Sequence, residues 1–138
     1  MPPEAVMLDD ATLLHKFEDR TLPASAFHHR EHVRVAWLYL KKEPPLVALD
    51  RFAEGLKRFA AAQGAAGLYH ETITWAFLLL IRERMEREGA GASSEEFVER
   101  HPDLLAWKPS ILDRYYQPET LKSDLARRVF VLPDRCPA

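Results

Sequence analysis

Residues 27–40 read FHHREHVRVAWLYL, and the spacing of their apolar side chains decides the fold class. At about 100° per residue, Arg30, Glu31, Arg34 and Lys41 share one arc, while His29, His32, Ala36, Tyr39 and Leu40 share the opposite one. That is a helix with one wet face and one packed face. No stretch of the chain alternates apolar and polar residues for more than a few positions, as a half-buried strand would. The sequence therefore predicts an all-α fold.

Working outward from this segment, Ser25 follows a proline and is a favoured cap residue, so the helix is expected to begin near it and to end before Pro44 and Pro45. Upstream, residues 10–19 form a first helix with Asp9 or Asp10 as N-cap and Leu13, Leu14 and Phe17 inward. Downstream, a third helix opens on the proline pair, carries the stripe Leu49, Phe52, Leu56 and Phe59, and stops at Gly64. A fourth runs from Tyr69 to about Gly89. Its first half, ITWAFLLLI, is apolar on every side and is read as the central helix, whereas RERMERE alternates in charge like a solvated projection. Ser93 and Glu96 make a capping-box pattern for a short helix ending at Pro102. Prolines then divide the remainder into turns at 103–107 and 110–116, a last helix over 118–129, and an extended apolar strap at 130–133. The expectation is one helical domain over residues 1–138, a bundle of five to six helices with short C-terminal pieces.

Composition excludes several classes of partner. With 19 basic and 21 acidic side chains the net charge is -2, so no broad positive field is present to hold nucleic acid. The longest apolar run, residues 75–81, is far short of the roughly 20 residues needed to cross a bilayer. One cysteine, Cys136, makes no internal disulfide, and the first residues lack a signal-peptide pattern, so a cytoplasmic location is expected.

Histidine is the informative residue type. Short connections make successive helices antiparallel, which brings the N-terminal ends of the second and fourth helices together. Four of the six histidines, His28, His29, His32 and His70, occur in those ends. Imidazoles buried beside helix N-termini lose affinity for protons, and neutral imidazole is both a metal ligand and a general base. One expectation is a divalent ion held by His29, His32 and His70, with Glu71 as a further ligand or acid/base group. The other is a metal-free site binding a small polar or anionic molecule, with His70, Glu71 and Thr74 as catalytic groups and Tyr69, Arg114 and Tyr115 as substrate contacts. Tyr116, Lys108, Arg127 and Arg128 are further candidates for the open end of such a pocket.

The segment also fits H-x-x-E-H, which makes His28 and His32 an alternative ligand pair. The chain lacks the strands, the size and the distant carboxylate of the zinc peptidases that use this spacing, so it is not assigned to them. His15 is expected on the surface and His101 at a helix C-terminus. The alternative function is an interaction module, a homodimer or partner complex joined through the apolar fourth helix.

Overall fold

The computed structural model describes residues 8–106 and 109–135, and among these the elements are helices and turns. Lys108, Trp107 and Cys136 lie outside the described residues. The helices are α1 (Asp10–Glu18), α2 (His29–Lys42), α3 (Pro45–Ala62), α4 (Glu71–Glu88), α5 (Ser94–Arg100), α6 (Pro118–Lys122) and α7 (Asp124–Arg128). Single 3-10 turns occupy Ala24–Ala26, Ala66–Leu68, Pro102–Leu104 and Ile111–Arg114. The all-α bundle is as the periodicity predicts. Among the described residues no helix is long and apolar enough to cross a membrane.

Capping chemistry sets the boundaries. Asp9 accepts the Thr12 N–H at 2.8 Å and starts α1, and Pro45 supplies the first residue of α3. Two starts differ from expectation. The helix expected near Ser25 begins at His29, because residues 24–26 make a 3-10 turn and Glu31 reaches back to the His28 N–H at 2.8 Å. The helix expected at Tyr69 begins at Glu71, with His70 as N-cap: its Nδ1 accepts the Ile73 N–H at 3.1 Å. The helix expected over 118–129 is divided at Ser123, whose extended backbone lets Oγ donate to Thr120 O and accept from Ala126 N. This division raises the number of helices to seven among the described residues.

The core joins Leu13 and Phe17 of α1 to Val33, Val35 and Tyr39 of α2, Phe52 of α3, and Phe77, Leu78 and Ile81 of α4. Helix α2 touches α1, α3, α4 and α5, so it shares the centre of the bundle with α4. Burial of the middle of α2, residues 33–37, corrects the reading of Arg34 as solvent-facing, for Arg34 is 0% exposed. Its Nε donates to Ser94 Oγ at 2.7 Å, and Nη2 donates to Leu8 O at 2.6 Å and Asp10 Oδ1 at 3.2 Å. A buried guanidinium is tolerated only when paired and hydrogen-bonded, as here, and the pairing fastens α1 and α5 to α2.

The apolar character of α4 is met from within the chain. Helices α2 and α3 lie on one side, and α7 and the Ile111–Arg114 turn cover others. The C-terminal strap is extended, as expected, and bonded across α4: Thr72 Oγ1 donates to Val129 O and accepts from Val131 N, while Phe130 stacks on Trp75 at 5.0 Å. The C-terminal third thus covers part of α4, while Leu79 remains 45% exposed.

Candidate ligand pocket

A cavity of about 580 Å³ opens between α2, α3 and α4, with the Ala66–Leu68 turn and α7 at its edge. Its walls are mainly apolar, with Phe27, Phe52, Phe59 and Phe77 among them. His29, His32, His70, Tyr69 and Thr74 all line it, so the structure brings these five predicted site residues together. The volume lies within the 300–1,000 Å³ range, roughly, of pockets for small organic molecules.

Each polar group has a distinct state. The Ile73 N–H points at His70 Nδ1, so that nitrogen carries the lone pair and the proton sits on Nε2, which donates to Leu121 O at 2.7 Å. Both ring nitrogens are thereby engaged by the backbone. Burial, with the charge of Arg127 adding to it, holds the His70 pKa below the usual imidazole range. His29 donates through Nε2 to Leu104 O at 2.8 Å and packs against Phe77 with ring centres 4.8 Å apart. Its pKa is also lowered, chiefly by burial.

His32 differs from these two. Its ring lies 4.3 Å from Phe27 and 6.4 Å from His29, and none of the described residues forms a hydrogen bond with it. Desolvation first, then the neighbouring His29 and His28, push its pKa down to about 4. It is a neutral imidazole facing an apolar cavity.

Tyr69 donates its hydroxyl to Glu71 Oε1 at 2.6 Å, and burial followed by this bond raises the phenol pKa. Glu71 does not line the cavity and reaches it only through Tyr69, which corrects its expected place as a group in direct contact with substrate. Thr74 Oγ1 donates to His70 O at 2.8 Å, which leaves its hydroxyl oxygen as an acceptor.

Three further expectations are corrected by placement. Arg114 is exposed and lies away from the cavity, and Tyr115 lines a separate groove with Leu79, Phe130 and Leu132 on another side of α4. Tyr115 follows the Ile111–Arg114 turn, which packs on α4, and its carbonyl accepts from Asp134 N at 3.0 Å just after the strap, a docking that sequence periodicity cannot give. His28 is exposed and caps α2, so the pair His28 and His32 does not face one cavity. His101, by contrast, is the C-cap of α5, at the helix C-terminus as expected, and it is 2% exposed, with Nδ1 against Arg84 Nη1 at 3.0 Å.

Among the described residues, no three His, Cys, Asp or Glu side chains are grouped to hold a metal ion. The physical reason at the expected centre is the state of His70, whose only lone pair caps α4. His29 and His32 are the two imidazoles left to consider there, short of the three protein ligands typical of catalytic zinc.

From the group of basic residues considered for a pocket mouth, the structure selects Arg127. It lines the cavity, and its Nη1 donates to Gly67 O at 3.0 Å. The sequence distinguishes it from Arg128 by one signal only: Asp124 stands four residues before Arg128 and pairs with it at 2.7 Å. Compared with family models, with curated proteins and with solved structures, the chain matches none.

Proposed function

We propose that the protein binds a small, mainly apolar molecule in the cavity between α2, α3 and α4, and that His32 makes the polar contact that orients it. The observation that carries this reading is His32 itself. A neutral imidazole among phenylalanine rings, with no hydrogen bond from the described residues, meets a ligand with one nitrogen ready to accept and the other ready to donate. A ligand O–H or N–H in the cavity would meet the imidazole lone pair directly. His29 and His70, tied to carbonyls, serve as fixed walls. Tyr69 and Thr74 add oxygen acceptors at the rim of the same space.

With a pKa near 4, His32 is a weak base at neutral pH, which favours binding over proton abstraction as its role. The metal-dependent version of the site draws no comparable support, since His70 has no free lone pair.

The test is an NMR titration of the full chain with 4-phenylbutan-1-ol, an apolar body carrying one hydroxyl. Saturable binding at one site is expected, with shifts at His32, Phe59 and Phe77. Filling the space with Ala60→Trp should abolish those shifts while the melting temperature holds. If the alcohol, its acid and its amine all leave the cavity resonances unmoved, the binding reading is wrong.

A further inference from the structure

Arg127 is a guanidinium at the edge of an apolar cavity, and among the described residues no carboxylate pairs with it. Its chain neighbour Arg128, by contrast, pairs with Asp124 at 2.7 Å. Arg127 instead spends one N–H on Gly67 O, a bond that fixes the guanidinium over the Ala66–Leu68 turn and leaves four of about five donors for another partner. Its field reaches the cavity, since it lowers the affinity of His70 for a proton. His70 in turn holds Leu121, six positions before Arg127, so the helix pair that carries Arg127 is tied to the cavity wall.

We infer that the natural ligand is an amphipathic carboxylic acid, bound as its anion, with the apolar body among the phenylalanine rings and the carboxylate on Arg127. This rests on the binding reading above and names its ligand class. A guanidinium presents parallel N–H groups that match a carboxylate, and such charge-assisted bonds are shorter and stronger than neutral ones. Among the described residues no second cation lines the pocket, which matches a ligand with one negative charge. A primary amine of the same body would meet repulsion at Arg127 and gain no counter-charge, because among the described residues no carboxylate lines the cavity.

The experiment compares 4-phenylbutyrate, 4-phenylbutan-1-ol and 4-phenylbutylamine on the full chain by calorimetry and NMR. The acid should bind about tenfold more tightly than the alcohol at low salt, and the amine more weakly than either. Arg127→Met should bring the acid to the level of the alcohol while leaving alcohol binding unchanged, and Arg127→Lys should restore part of the difference. Equal binding of acid and alcohol to the wild type would overturn the carboxylate assignment and leave the cavity reading standing, whereas failure of all three would overturn the cavity reading itself. The wild-type comparison decides the matter even if the Arg127 variants lose stability.

Discussion

His70 donates from Nε2 to the carbonyl of Leu121 at 2.7 Å, across 51 positions of sequence. With Nδ1 capping α4 through Ile73, one side chain both starts a helix and anchors the chain leaving α6. Removing both bonds in His70→Ala should cost about 2–3 kcal/mol. His70→Asn keeps a good N-cap but cannot span to Leu121, so it should lose about half as much. Urea denaturation checks the order, and equal losses would show that capping contributes nothing.

Acid should destabilise the fold earlier than carboxylates alone would allow. His29, His32, His70 and His101 all have folded pKa values lowered chiefly by burial, so the unfolded chain binds more protons than the folded one as the pH drops below about 6.5. Their contribution is complete above that pH and is lost as pH falls through the folded values, which for His32 lies at about 4. His32 alone accounts for on the order of 3 kcal/mol between those limits. Stability measured by denaturation from pH 7 to pH 4 should therefore fall steeply, and His32→Phe should flatten the curve. A curve of unchanged slope in that variant would contradict the neutral state of His32.

Gly55 is the place where a favourable local substitution should fail. In an exposed helix interior, Gly→Ala adds about 1 kcal/mol of stability. Here an added Cβ would stand 2.6 Å from Cζ of Phe17, a ring that is 2% exposed and packed against Phe27 and Tyr39. Gly55→Ala should therefore destabilise by about 1–3 kcal/mol, measured by thermal or chemical unfolding. A gain in stability would mean that α1 and α3 separate freely.

Arg34 should be the costliest polar position. Arg34→Met leaves Ser94 and Asp10 to face a buried methyl thioether, and a loss of about 3–5 kcal/mol is expected. Arg34→Lys should recover little, since one ammonium cannot serve Ser94 Oγ and Leu8 O in the geometry of a guanidinium. Combining Arg34→Met with Asp10→Asn should recover part of the loss by removing the stranded carboxylate. Additive losses in the double variant would show that Arg34 and Asp10 act independently.

Local sequence carried the helices well because their signals are local. Asp9 before α1, Pro45 opening α3, Gly89 closing α4 and Ser93 capping α5 act within one turn of themselves. The two starts that moved, at His29 and Glu71, have histidine in the N-cap position, His28 fixed by Glu31 and His70 accepting from Ile73 N, a use that the usual Ser, Thr, Asp and Asn preferences do not signal. Arg34 shows the limit of angular reading: its arc faces solvent on an isolated helix, yet α1 and α5 close over it.

The gathering of His29, His32 and His70 could be read from helix order and short connections, and these three do line one cavity. Which of them is open to a ligand was decided elsewhere in the chain. His29 is held by Leu104, 75 positions away, and His70 by Leu121, 51 positions away, while His32 meets no such carbonyl among the described residues. Arg127 enters the pocket for a similar reason, through its bond to Gly67. Periodicity determines which way a side chain leaves its helix. Its protonation state and its remaining hydrogen-bonding capacity depend on distant backbone groups, and only tertiary packing brings those within reach.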